Sequence, residues 1–314
     1  MKISNSSCKF VLTLLLILPV FTLQAAPSSV MCDKKSLADV IGKLEKSKSN
    51  TINITGDCNE DIVISGHQDL TLIGLDGASI TATVFDDDPV EGQENSTVAV
   101  FIDNSNVTLQ DLTINGGVEA AICMARSVCE FRDVTIPSGW NGVSTGDHSK
   151  LYIYGSSLIT NLLGIGVAGY TASHIMMGPD KFLNFGPEDA GPVINGNWVG
   201  VWVQDGSFFR SDNVTITGND YGIFAQRNAT LKVYNQATVA LGVSNNTDSG
   251  IWLRSSSTAH IGVPINDNGG DGIRVGPLSL VHNVGALTSF SNNGGAEVNC
   301  AHTTAVDIGF GVCP

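Results

Sequence analysis

From Ala121 to the C-terminus the chain repeats a four-residue phrase: a small residue, an aliphatic one, a variable one, then an aliphatic or small one. The copies read Gly142-Val143-Ser144-Thr145, Gly164-Ile165-Gly166-Val167, Gly200-Val201-Trp202-Val203, Gly222-Ile223-Phe224-Ala225, Gly250-Ile251-Trp252-Leu253 and Gly272-Ile273-Arg274-Val275, after a looser Ala121-Ile122-Cys123-Met124. Three pairs of starts lie 22 residues apart, and the gaps of 36 and 28 between them are one period plus 14 or 6 inserted residues. Within each period apolar and polar residues alternate, Val, Ile and Thr are abundant, and Asn, Gly and Asp punctuate, as in Asn213-Val214-Thr215-Ile216-Thr217-Gly218-Asn219. That pattern predicts short strands joined by tight corners. A fixed period with loop-sized exceptions is the mark of a solenoid, whose units bury their apolar faces only by stacking on one another.

On these residues the chain resembles the right-handed parallel β-helix proteins of the pectate-lyase-like superfamily, over roughly residues 50 to 310. The resemblance implies an all-β fold, a right-handed parallel β-helix solenoid. It does not choose a reaction, because that fold carries lyases, hydrolases, epimerases, adhesins and spikes.

The period breaks in four places. Residues 1–26 read as a secretory signal, with Lys2 and Lys9, an apolar run from Phe10 to Leu18 and a small-residue cleavage site at Ala25-Ala26. That run is too short to span a bilayer, so the mature chain is expected to be secreted or periplasmic, with no transmembrane segment. Residues 27–50 form an N-terminal cap: Leu37, Val40, Ile41 and Leu44 follow helical spacing behind Ser36, and a short amphipathic capping helix would cover the open end of the first coil. Residues 51–314 are then the β-helix domain, with insertions near 76–96, where Asp86, Asp87 and Asp88 adjoin, and near 170–195, which is rich in Pro, Met and Phe.

Charge narrows the partners. Without Lys2 and Lys9, 14 basic residues face 30 acidic ones, formally −16, a field that repels nucleic acid and anionic membranes. Six cysteines outlast cleavage: Cys32, Cys58, Cys123, Cys129, Cys300 and Cys313. An even number in an exported chain points to disulfides. Fifteen pairings exist; the stacking of near neighbours favours Cys32 with Cys58, Cys123 with Cys129 and Cys300 with Cys313. No Cys-x-x-Cys, His-x-His or His-Glu-x-x-His grouping occurs, so no metal site is assigned. Calcium at an acidic cluster is the one cofactor the residues leave open.

Candidate chemistry follows from facing. The second and fourth residues of the phrase point to the core and the third points out. Stacked coils would therefore align Ser144, Gly166, Trp202, Phe224, Trp252 and Arg274 on one outer wall. Two residues on, the same parity gives Gln204, Gln226 and Arg254, and two before each glycine it gives Trp198, Asp220, Asp248 and Gly270. Aromatic rings flanked by amides, arginines and carboxylates suit a polysaccharide or glycan. On this reading Trp202, Phe224, Trp252, Arg274, Gln204 and Gln226 bind substrate. Asp220, Asp248 and Arg254 are the catalytic candidates of a lyase or glycoside hydrolase, the two carboxylates lying one coil apart. The alternative is a non-catalytic surface, adhesive or structural protein, with the column covered by the 170–195 insertion, used in assembly, or serving as a stacking ladder.

Two further patterns are ambiguous. Asn246, Asn268 and Asn292 recur near one period apart, as a corner ladder would require, and Asn246-Thr247-Asp248 resembles an element of polygalacturonases. Position 270 is Gly, however, where that family has a second Asp, and no Gly-His-Gly or Arg-Ile-Lys follows. His174, Lys181, Glu188 and Asp189 would place acid or base groups over the column if the insertion folds across it.

Overall fold

The computed structural model describes residues 27–83, 97–179, 191–235, 242–283 and 288–300. The signal, most of the 76–96 segment, Lys181, Glu188, Asp189 and Cys313 lie outside them. The described chain is a parallel β-solenoid of three sheets, with 11, 10 and 10 strands. Each coil visits the sheets in turn. Phe208–Asp212 lies in the first, Thr215–Thr217 in the second and Tyr221–Gln226 in the third, before Thr230–Tyr234 returns to the first directly above Phe208–Asp212. Every named strand pair is parallel, so hydrogen bonds run along the solenoid axis, with about 4.8 Å between coils.

Alternation decides which side chains enter. Val201, Val203, Ile223, Ala225, Ile251, Leu253, Ile273 and Val275 are all within 1% of complete burial, and with Phe131 and Phe209 they belong to one continuous core. The corners between the third and first sheets use consecutive left-handed residues, such as Asp147 and His148, Arg227 and Asn228, or Ser255 and Ser256. Where a serine follows the corner it turns inward and serves the coil before it: Ser149 Oγ accepts from Ser127 N at 3.0 Å, and Ser279 Oγ from Ser257 N at 3.2 Å.

A second ladder fixes the corner before the third sheet. Asn197, Asn219, Asn246, Asn268 and Asn293 stack, each Nδ2 donating to the next Oδ1 at 2.9 to 3.1 Å. Their backbone N–H groups bond the same oxygens. The last rung is Asn293, not Asn292, which is exposed with φ 55°. An inward amide satisfies two donors of the coil below, whereas a left-handed asparagine beside it only turns the chain.

The insertions are shorter than the sequence suggests. Ser79–Thr81, His174–Gly178 and Val193–Asn195 are strands of the sheets, so the second interruption falls between Pro179 and Gly191. His174 therefore sits on the first sheet, away from the third-sheet column, and packs edge-on to Phe208 at 4.5 Å. Cys32 bonds Cys58 and Cys123 bonds Cys129. Cys300 is also disulfide-bonded. A single helical turn, Leu37–Ile41, buries Leu37, Val40 and Ile41; Ser36 Oγ accepts from Asp39 N at 3.1 Å, and Glu60 accepts from Ser36 Oγ at 2.6 Å. Among the described residues no helix is long and apolar enough to cross a membrane.

Candidate functional site

The third sheet carries the repeated phrase, and its outer face carries the site. Pairing corrects the alignment of two copies. Gly166 lies opposite Gly200, so the phrase in that coil starts at Gly166 and its outward residue is Ala168, which pairs with Ser144 and Trp202. Ile122 pairs with Ser144 and faces out, while Cys123 turns inward to its disulfide. The slips arise because Gly164-Ile165-Gly166-Val167 holds two glycines two apart and Ala120-Ala121 holds two small residues in a row. The aligned glycines then stack: a Cβ on Gly200 would stand 2.7 Å from Gly222 O, and one on Gly250 2.8 Å from Gly272 O. The row is glycine because the next coil's backbone occupies the space of a side chain.

The column from Trp202 onward forms as aligned. Trp202, Phe224, Trp252 and Arg274 pair in succession. Trp202 and Phe224 meet at right angles with centroids 5.0 Å apart, and Phe224 and Trp252 are again 5.0 Å apart. Two rings outside the column complete the strip. Trp198, 45% exposed, lies 6.1 Å from Trp202, and Tyr221 lies 5.5 Å from Trp252. Trp202 and Trp252 are half-buried and Phe224 is buried. Together the rings and Arg254 line a cleft of about 260 Å³. Parity signalled Trp198; Tyr221 was legible only once the corner geometry was known.

The polar flanks divide. Gln204 accepts from Trp202 Nε1 at 3.1 Å and from Gln226 Nε2 at 2.7 Å, so this amide pair braces the strip from within. The guanidinium carbons of Arg254 and Arg274 lie 5.2 and 4.8 Å from the Trp252 ring centre. Neither has an ion-pair partner among the described residues.

On the opposite edge, Asp220 is exposed and Asp248 half-buried. Asp248 N donates to Asp220 O at 2.8 Å, so the two lie on neighbouring coils with their backbones in contact. Asn246 to Gly250 is one residue longer than Asn219 to Gly222, which brings Asp248 beside Tyr221. The Asp248 carboxylate accepts from Ser249 Oγ at 2.8 Å and lies close enough to the Tyr221 phenol to act on it electrostatically. Burial first, then the charge and hydrogen bond of Asp248, raise the Tyr221 pKa, against the opposing pull of Arg274.

Sequence reasoning missed a polar cluster further along the same face. Glu119 accepts from Asn141 Nδ2 at 3.1 Å and from Ser144 Oγ at 2.8 Å. Burial pushes its carboxyl up to about 7, and the two hydrogen bonds only partly oppose this. Burial first and then the charge of Glu119 push the Tyr170 phenol up to about 12, against a smaller opposing pull from Ser144, and its ring packs into the cluster that contains Trp202. Among the described residues no three His, Cys, Asp or Glu side chains converge as a metal site.

No protein-family model and no curated protein matches this chain. Three solved structures with similar backbones are the A-module of the Azotobacter vinelandii mannuronan C-5 epimerase AlgE4, an alginate lyase from Paenibacillus sp. str. FPU-7, and PfbA, a surface adhesin of Streptococcus pneumoniae. The epimerase module is 12% identical, with 88% of this chain and 93% of that one covered and a TM-score of 0.41. The lyase is 12% identical over 87% and 99%, with a TM-score of 0.31. The adhesin is 10% identical over 83% and 87%, with a TM-score of 0.27. Identities and scores this low carry no argument about family or reaction. What the chain itself shows is a parallel β-solenoid of three stacked sheets.

Proposed function

We propose that this is an exported, carbohydrate-interacting β-helix protein that binds a polysaccharide along the strip from Trp198 to Arg274. The observation that carries the reading is the cleft itself: Trp198, Trp202, Tyr221 and Trp252 stand at its wall, with the guanidinium groups of Arg254 and Arg274 against Trp252 and without an ion-pair partner among the described residues. Sugar rings stack on aromatic faces, and their hydroxyl and acid groups accept from arginine. Such recognition calls for no cofactor. In this reading the winding is right-handed, as parallel crossovers nearly always are, the Leu37–Ile41 turn covers the first coil, and the disulfides suit an oxidising compartment outside the cytoplasm.

Trp202, Phe224, Trp252 and Arg274 are the binding residues, with Gln204 and Gln226 holding Trp202 in place. Asp220 and Asp248, with Arg254, remain the acid and base candidates at the strip's edge. The ties of Asp248 to Tyr221 and Ser249 favour a second reading, in which that edge only positions a ring and the protein is a non-catalytic glycan-binding surface. Titrating the protein with soluble polysaccharides and following tryptophan fluorescence tests the common core of both. Saturable quenching by one glycan, weakened in Trp252→Ala, supports it; no response from any glycan refutes it. Product release lost in Asp248→Ala separates enzyme from binding protein.

A further inference from the structure

The outer face of the first sheet ends on two imidazoles. Thr230–Tyr234, Thr258–Gly262 and Leu280–Asn283 are its last three strands, and Lys232, His260 and His282 stand in register across them. The two rings stack with centroids 4.8 Å apart and planes 20° from parallel, and both are half-buried. Leu280–Asn283 is the edge strand of the described sheet, paired on one side only. Val281 anchors it in the core, Leu280 N donates to Ser257 O at 2.9 Å, and Ser279 Oγ accepts from Ser257 N at 3.2 Å. On its outer side Leu280 lies opposite Thr258, and His282 opposite His260. The other groups that face the pair are neutral or cationic: Thr230, Lys232 and Tyr234 on the preceding strand, and Thr258, Gly262 and Leu280 on the pair's own strands. One coil further back Arg210 faces Lys232, and Asp212 already accepts from Arg210 Nε at 2.8 Å. No carboxylate among the described residues pairs with either imidazole. Residues 236–241 and 283–287, which adjoin these strands in the chain, hold no ionisable side chain. Burial first, then His282 and Lys232, lower the His260 pKa below the usual imidazole value.

We propose that His260 and His282 form an acid-sensitive catch at the end of the solenoid: the neutral rings hold Leu280–Asn283 on the sheet, and protonation of both releases it. Neutral imidazoles can lie face to face in a half-buried setting at little cost. Two protons place like charges on rings 4.8 Å apart, with Lys232 on the next strand, where water screens them poorly and no carboxylate offsets them. A detached strand escapes that repulsion, so its imidazole takes a proton at the ordinary value while the attached end resists. The hold is therefore complete above about pH 6.5 and is lost as pH falls below it. Glu119 acts in the opposite sense, because its proton favours the fold as pH falls. Release bares the backbone edge of Thr258–Gly262, the kind of edge that another strand can join. The catch lies on the first sheet and does not depend on the aromatic strip of the third.

Amide hydrogen exchange on the full chain reads the catch strand by strand. The Leu280 N–H, bonded to Ser257 O, reports the edge, and the Thr230 N–H, bonded to Ser207 O at 3.0 Å, reports the body of the same sheet. Between about pH 7.5 and about pH 5 the Leu280 protection factor should fall at least about tenfold, the effect of one proton held tenfold more weakly by the attached end, and that of Thr230 less than about threefold. His260→Gln and His282→Gln each leave a single ring with no charged partner to repel it, so the fall at Leu280 should shrink to less than about threefold. His282→Lys, charged throughout this range, should leave Leu280 poorly protected already at about pH 7.5. Far-UV circular dichroism matching wild type at that pH shows that the variants fold. No fall at Leu280, a fall shared equally by Thr230, or a fall that persists in both glutamine variants overturns the catch.

Discussion

The guanidinium carbon of Arg274 lies 4.8 Å from the ring centre of Trp252, and Arg254, on the same coil as that ring, approaches to 5.2 Å. One indole thus holds two cations that have no ion-pair partner among the described residues. Each contact is worth about 0.5–1 kcal/mol at such an exposed site. Removing Arg274 should cost the fold no more than that. Trp252→Ala loses both contacts and the edge-to-face contact with Phe224, so thermal unfolding should show a loss of about 2 kcal/mol. Glycan affinity, read by fluorescence of the remaining tryptophans, should drop at least about tenfold.

Asn246 supplies Oδ1 to both the backbone N–H and the side-chain amide of Asn219. Asn246→Ala leaves the Asn219 backbone N–H buried without its acceptor, at about 1–3 kcal/mol, while Asn219 Nδ2 keeps Ile194 O and Thr217 O. Urea unfolding should record a loss of about 1–3 kcal/mol. Asn292→Ala, one residue before the last rung and exposed, should change stability by less than about 1 kcal/mol.

Gly200 and Gly206 should respond differently to alanine. At Gly200 a methyl group would stand 2.7 Å from Gly222 O and 2.9 Å from both Asn219 Nδ2 and Ile216 Cγ2. Coils held by hydrogen bonds on both sides cannot give way, so overpacking of about 1–3 kcal/mol is expected. At Gly206 nothing lies within 4 Å, but φ is +73°, and the cost is backbone strain of about 1 kcal/mol. Thermal melting of the two variants checks the order.

Glu119 links stability to pH. Its carboxyl is raised from 4.5 to about 7 in the folded chain, so between those values the native state holds a proton that the unfolded chain has released. The stabilisation tied to that proton is complete below about pH 4.5 and is lost as pH rises through about 7. Glu119→Gln, which cannot ionise, should gain on wild type as pH rises, by up to about 3 kcal/mol at pH 8. Chemical denaturation at pH 5 and pH 8 measures the difference, and an equal effect at both would show that Glu119 does not titrate in this window.

The solenoid was legible because its signal repeats: each coil restates the alternation, and one error cannot displace the rest. Trp202, Phe224, Trp252 and Arg274 could be aligned for the same reason, since their coils share one spacing from glycine to aromatic. Errors entered where local sequence offers two registers, at Gly164 against Gly166 and at Asn292 against Asn293. Hydrogen bonds to the neighbouring coil choose between them, and those bonds leave no mark in the chain itself. That Glu119 and Tyr170 gather at Ser144, itself aligned from the sequence, was invisible for another reason. The three residues occupy three different rows of the face, so no periodicity links them, and burial, which gives the carboxyl its interest, comes from residues on other coils.

The extra residue Ser249 illustrates how such a protein can vary. The asparagine rung before it and the glycine after it keep their places in the stack, and the next corner, Asn268 to Gly272, shares the longer spacing, so Asp248 is re-aimed towards Tyr221 while both ladders run on. The rim of the cleft is thus free to lengthen and shorten between two clamps, and new specificities can be tried there while the barrel of the molecule stays as it was.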